Sequence, residues 1–495
     1  MLRQLVVACL IIISCATQAD DLWQQAEPST RVGKIAFRPC ELSNLQGRRN
    51  AECAYFDVAE NEQDPQGRHI QLFVVRLPAE HSKPKADPVL LIDGGPGEGA
   101  SNDFLFFDKV FSKAARERDF YLIDQRGTGR SHALQCKQNE GDLNANPAAE
   151  YVRRRAQECL QSLDADVRYY TTSVAVRDFE KIRQALQVSQ WNLLGISYGT
   201  RVEQEYLRRF PQSIRSAVLD SVVPAAENLG PLIPEFSQNA LDLMYRQCAA
   251  DKACAKRYPK LKEETEALLK SLTNSPATVD IENIKTENID QVAVTSAHLL
   301  SLIRLSLYNT QTVAMLPTAI HAAVADGNYA PLYRRATLIF NTLSDNLALG
   351  MHNSVICTED VPFYSDKELE QASKKPSYLG GTFVEILKNT CSVWPQGIID
   401  DDFKAPLKSA VPSLVLSGEY DPITPPAWAA KVAQGLSNSR HLTLKGQGHA
   451  VSVEGCAPTI VAKFLDELNP ESLDAECLNR VEAAPFFIDF NGPGA

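Results

Sequence analysis

The pentapeptide Gly195-Ile-Ser-Tyr-Gly199 sets one serine between two glycines, directly after the apolar run WNLL. Serine is a poor residue for a strand interior, and flanking glycines mark backbone that bends or is crowded. Between a buried strand and the helical pattern TRVEQEYLRRF, Gly-x-Ser-x-Gly describes a nucleophile elbow, a sharp turn that pushes a hydroxyl outward. Side chains at Gly195 and Gly199 would collide with the neighbouring strand and helix. The helix that follows offers its dipole and free amides to a developing negative charge. A hydroxyl is a weak nucleophile at neutral pH, so it needs a base within reach and an acid to orient that base.

Of eight histidines, His449 stands in GQGHAVS just after the apolar run RHLTLK, where glycines let a loop fold across a sheet. His69, His81, His132, His298, His321, His352 and His441 have no comparable setting. Two acids follow apolar runs: Asp421 in GEYDPITPP, a loop fixed by prolines, and Asp220 at the end of SAVLD. The order Ser197, Asp421, His449 is one in which such triads occur on α/β sheets. Asp421 is the expected acid and Asp220 the second candidate. An oxyanion hole needs backbone N–H groups aimed at the carbonyl oxygen. Tyr198, after the nucleophile, supplies one. The loop LLIDGGPGEGAS supplies the other, with Gly94 and Gly95 allowing close approach and Pro96 stiffening the turn.

These groups need a scaffold that brings distant segments to one rim. KIAFRPCEL and AECAYFDVAE read as a β-hairpin and HIQLFVVRLP as a third strand. Apolar runs then recur in PVLLIDGGPG, DFYLIDQRGTG, WNLLGISYGT, IRSAVLDSVV, PSLVLSGEYDP and RHLTLKGQGH, several of them separated by helical patterns such as SVAVRDFEKIRQALQ. Near-continuous apolar strands alternating with helices predict an α/β fold whose mostly parallel sheet is covered on both faces. From about residue 224 to 403 amphipathic helical stretches dominate. The expected organisation is a core over 30–223, a mainly helical cap insertion over 224–403, and the rest of the core over 404–485.

The chain has 495 residues, 44% hydrophobic and 22% charged, which suits a globular protein. A net charge of −11 argues against a nucleic-acid partner, which needs a basic surface. The leader MLRQLVVACLIIISCATQADD has Arg3, an apolar run from Leu5 to Ile13, then small residues. That run is too short to cross a bilayer but fits a secretory signal peptide over 1–19, cleaved after Ala19. The rival is a lipoprotein box over residues 12–15, with Cys15 lipidated and the membrane a partner only in that case. Either reading predicts export, to a periplasm or beyond. Ten of the 12 cysteines lie past the leader, an even number that suggests disulfides in an oxidising compartment. Sequence does not fix their connectivity; neighbour pairing is the expectation. No Cys-x-x-Cys, no His-Glu-x-x-His and no clustered histidine points to a metal, and no cofactor is implied.

GGPG, DQRGTGRS (Asp124 to Ser131), GISYGT, GEYDPITP and GQGH together resemble the prolyl and tripeptidyl aminopeptidase branch of the α/β-hydrolase serine peptidases. ECAYFDV, and the final region carrying Asp421 and His449, resemble the exported tripeptidyl aminopeptidases in particular. Asp93 departs from the pattern, standing where prolyl aminopeptidases have histidine. The resemblance implies a peptide substrate with a free, positively charged N-terminus, read by carboxylates. Glu359 and Asp360, in Cys357-Thr-Glu-Asp360 of the cap, are the candidates for that task. Asp124 and Arg126 are expected to hold loops together. The expected function is an exported serine aminopeptidase acting through an acyl-enzyme. The alternative is a carboxylesterase or lipase with the same triad, since an elbow does not separate amide from ester.

Overall fold

The nine apolar and alternating runs, with the short strand Thr30–Val32, form one ten-stranded sheet in the computed structural model, which describes residues 22–44, 47–102, 112–137, 148–282 and 287–493. The leader, with Ala19 and Cys15, lies outside the described residues. In chain order the strands before the cap are β1 (Thr30–Val32), β2 (Ile35–Asn44), β3 (Gly47–Ala59), β4 (His69–Leu77), β5 (Val89–Ile92), β6 (Phe120–Ile123), β7 (Trp191–Ile196) and β8 (Ile214–Asp220). A separate hairpin follows, β9 (Ala277–Glu282) with β10 (Ile289–Val294), then β11 (Ser413–Gly418) and β12 (Ser439–Leu444).

The large sheet runs β1-β2-β3-β4-β6-β5-β7-β8-β11-β12. Its first part is antiparallel, as hairpins allow, and β4 meets β6 antiparallel. From β6 to β12 every neighbour pair is parallel. The central strands β5, β6, β7 and β11 are buried at every position. One face packs a core built around Leu90, Val176, Ile182, Trp191, Val202 and Tyr206, and the other a core around Leu91, Leu194, Val218, Leu416, Ile460 and Phe464. Burial on both faces explains why these strands lack polar alternation.

β8 pairs directly with β11, Leu416 opposite Asp220, although nearly two hundred residues separate them in the chain. The intervening segment is mostly helical and packs a core of its own, with Leu241, Met244, Leu299, Leu302, Ile303 and Ile320. Tyr420, just past β11, also enters that cluster. The β9–β10 hairpin is an element the helical reading of this segment did not anticipate. Its period-two pattern is visible in ATVDIE and IDQVAV, but both strands are largely exposed. Little apolar contrast therefore marks them.

The five disulfides join Cys40 to Cys53, Cys136 to Cys159, Cys248 to Cys254, Cys357 to Cys391 and Cys456 to Cys477. Each cysteine past the leader thus bonds its neighbour along the chain.

Candidate active site

Ser197 follows the last residue of β7 and caps the helix Tyr198–Arg209. Its backbone sits at φ 56°, ψ −123°, a region that costs an L-residue energy and that tight surroundings must enforce. The enforcement is visible. A Cβ on Gly199 would lie 2.2 Å from the Ile92 carbonyl, and one on Gly195 would lie 2.5 Å from the Glu203 carboxyl. The helix therefore seats against β5 because Gly199 lacks a side chain, and its Glu203 packs over β7 because Gly195 does.

His449 lies in the loop after β12. Its Nδ1 is 2.7 Å from Asp421 Oδ2, and the Asp421 side chain is fully buried. Asp421 also accepts from the amides of Ile423 (2.9 Å) and Thr424 (2.8 Å) and from the Thr424 hydroxyl (2.7 Å). A carboxylate held by this many donors cannot rotate away from its imidazole. With Nδ1–H donating to Asp421, Nε2 carries the free lone pair. Burial alone would lower the His449 pKa, but the charge and hydrogen bond of Asp421 outweigh it, so the pKa is raised above its ordinary value.

Asp220, the second candidate acid, makes no contact of this kind. Its two carboxylate oxygens accept the amides of Val451 (3.0 Å) and Ser452 (2.7 Å), while its carbonyl accepts the Ser197 amide (2.9 Å). Ser221 Oγ takes the amide of Ala450 (2.8 Å), a residue in left-handed backbone at φ 61°. These bonds shape the loop that carries His449. The segment between β8 and β11 contributes as well: the Tyr308 carbonyl accepts the His449 amide (2.8 Å), and the Tyr308 ring meets the imidazole edge-on at 5.0 Å.

The GGPG loop reaches the same place. The space a Gly94 Cβ would fill lies 3.2 Å from Ser197 Cβ and 3.1 Å from Glu98 Oε2. The Gly94 amide donates to Asp93 Oδ1 (2.8 Å), so this glycine's N–H is engaged by the residue that departs from the prolyl aminopeptidase pattern. Glu98 went unremarked in the sequence, where it is a single acid in a glycine-rich loop. Its pKa is pushed up to about 8, first by burial, then by Asp93, with His449 opposing.

Glu359 and Asp360 require a correction. Both are fully buried and their oxygens are occupied. Asp360 pairs with Arg201 through two bonds of 2.9 and 3.0 Å and accepts the Leu229 amide (2.8 Å). Glu359 accepts from the amide (2.7 Å) and hydroxyl (2.9 Å) of Thr172, whose hydroxyl is 2.5 Å from the Tyr198 phenol. Neither offers a free carboxylate to an incoming amine. They brace the first turn of the elbow helix, where Tyr198 and Arg201 sit. Asp124 and Arg126 act similarly: Asp124 accepts from Ser101 and Arg130, and Arg126 forks onto Asp178.

Comparison with known proteins places hydrolases among the relatives of this chain. The family model described as alpha/beta hydrolase fold matches residues 87–258, and that described as TAP-like protein matches 377–477. The hydrolase YuaR of Escherichia coli K12 is 29% identical, over 91% of this chain and 89% of its own. The serine protease Hip1 of Mycobacterium tuberculosis is 24% identical, over 93% of this chain and 94% of its own. The tripeptidyl aminopeptidase of Streptomyces lividans is 30% identical, over 35% of each chain. The chain has the α/β-hydrolase fold, and its C-terminal part is similar to TAP-like proteins.

Proposed function

We propose that this protein is an exported serine aminopeptidase that releases short N-terminal peptides or single residues. The observation that carries the reading is the shared suspension of Ser197 and the His449 loop from Asp220, with His449 Nδ1 held by Asp421. His449 Nε2 takes the Ser197 proton as the hydroxyl oxygen bonds to the scissile carbonyl carbon. The negative charge moves onto the carbonyl oxygen, where the amides of Tyr198 and Gly95 receive it, Gly94 being engaged by Asp93. The tetrahedral intermediate collapses, the C–N bond breaks, and His449 gives its proton to the leaving amine. Water then adds to the acyl-enzyme by the same route in reverse and frees a carboxylic acid and Ser197. No cofactor or metal enters these steps.

With Glu359 and Asp360 committed elsewhere, Glu98 is the carboxyl beside the nucleophile that can meet a substrate ammonium. An approaching cation favours its ionised form, so binding itself draws out the charge. Export is supported by the leader's apolar run and by five disulfides, which persist in oxidising compartments.

The test offers peptide amides with free and with acetylated N-termini, alongside a short-chain ester, to wild type, Ser197→Ala and Glu98→Gln. The reading expects cleavage of the free peptide only, none by Ser197→Ala, and a raised KM for Glu98→Gln. Ester cleavage without either amide would replace it by the carboxylesterase reading.

A further inference from the structure

The helix Ser296–Ser306 carries one cation in its last turn, Arg304, four residues before Tyr308, whose ring meets the His449 imidazole. Arg304 is partly buried, its guanidinium lies 4.6 Å over the ring of Phe383, and its Nε is buried without a hydrogen-bond partner. Among the described residues no carboxylate forms an ion pair with it. The other interior arginines contrast with this. Arg118 meets Asp87, Arg126 meets Asp178 and Arg201 meets Asp360, while Arg335 donates to the carbonyls of Met315 and Thr312. Holding a guanidinium half out of water without a counter-charge is costly, and a site that does so is prepared for an anion from outside.

The neighbours of Arg304 say where that anion would lie. The guanidinium acts electrostatically on the Tyr308 and Tyr378 phenols and on the His352 imidazole. The Tyr308 ring packs against His449, and His352 Nδ1 donates to the Pro96 carbonyl of the GGPG loop (3.0 Å). Arg304 is thus within electrostatic reach of one residue that touches His449 and another that touches the GGPG loop.

We propose that Arg304, with the hydroxyls of Tyr308 and Tyr378, forms a subsite for a substrate carboxylate. Its assignment to an acidic side chain in the released N-terminal piece rests on the aminopeptidase reading; the anion preference itself does not. Two parallel N–H groups of a guanidinium match the two oxygens of a carboxylate, and the Phe383 ring holds the plane of the fork.

The experiment compares substrates of one shape that differ in charge. The first arm uses the p-nitrophenyl monoester of glutaric acid against its methyl-capped diester. The second uses peptide amides with Glu against Gln at each of the three positions before the scissile bond. Wild type is expected to favour the anionic ester, and Glu at one peptide position, by about tenfold or more in kcat/KM, equivalent to about 1.4 kcal/mol. Arg304→Gln brings the ratio near one, and Arg304→Lys retains an intermediate ratio because the charge remains without the fork. A wild-type ester ratio of one or less overturns the subsite without any variant. So does a ratio that Arg304→Gln leaves unchanged. Preserved ester preference with no peptide cleavage would sink the peptidase reading and support the subsite.

Discussion

Asp220 ends β8 and Asp421 lies in the loop just past the adjacent parallel strand β11, and the two serve His449 by different means. Asp421 bonds the imidazole at Nδ1, whereas Asp220 bonds the backbone of Val451 and Ser452 just beyond it. One carboxylate orients the ring and the other fixes the loop.

Their amide variants should therefore separate. Asp421→Asn presents either a donor or a neutral acceptor to Nδ1 and is expected to lower kcat by a factor on the order of 10⁴ while the protein stays folded. Asp220→Asn keeps the ring's partner but turns one N–H₂ toward a backbone amide. It should cost about 1–3 kcal/mol of stability and a smaller part of the rate. Steady-state kinetics and denaturant unfolding of the two proteins, side by side, decide. A larger rate loss in Asp220→Asn, with unchanged stability, would exchange the two roles.

The base must be neutral to accept a proton, so activity falls as pH drops through the His449 pKa. Burial works to lower that pKa, but Asp421, Asp220 and Glu98 all face the imidazole and the balance is upward. The acid limb of kcat, read in the complex where the bound ammonium has already ionised Glu98, is expected to have its midpoint above the ordinary histidine value of about 6.5. In Asp421→Asn the residual activity should show that midpoint displaced to lower pH. A profile flat down to pH 5.5 in the wild type would contradict the assignment of His449 as base.

The elbow glycines fail against different obstacles. A methyl on Gly195 meets the end of the Glu203 side chain, which a second substitution can shorten; a methyl on Gly199 meets the Ile92 carbonyl, which is backbone. Gly195→Ala is expected to cost about 1–3 kcal/mol and most of the activity, and Glu203→Ala in the same chain to recover much of both. Gly199→Ala should show no such recovery. Melting curves and turnover of the two single and two double variants provide the comparison.

The strands could be read because sheets covered on both faces leave unbroken apolar runs, and all nine quoted runs lie in the large sheet. Ser197 and His449 stood out because glycines and strand ends surround them. Choosing between Asp421 and Asp220 needed the third dimension, since both close an apolar strand run and only contacts assign their partners. Glu359 and Asp360 looked like free acids because their partners, Thr172 and Arg201, come much earlier in the chain. Glu98 and Arg304 passed unread for the opposite reason. Each is a single charge in a stretch otherwise small or apolar, and that isolation was itself the available signal.

The order of the cysteine pairs has a consequence for biogenesis. Because partners are consecutive past the leader and at most 34 positions apart, each loop can be sealed as soon as its second sulfur emerges, before later segments exist. An oxidant that joins thiols in order of appearance would reach this connectivity without reshuffling. A disulfide isomerase should therefore do little for the yield of this chain, whereas delaying oxidation until the whole polypeptide is present should make it matter.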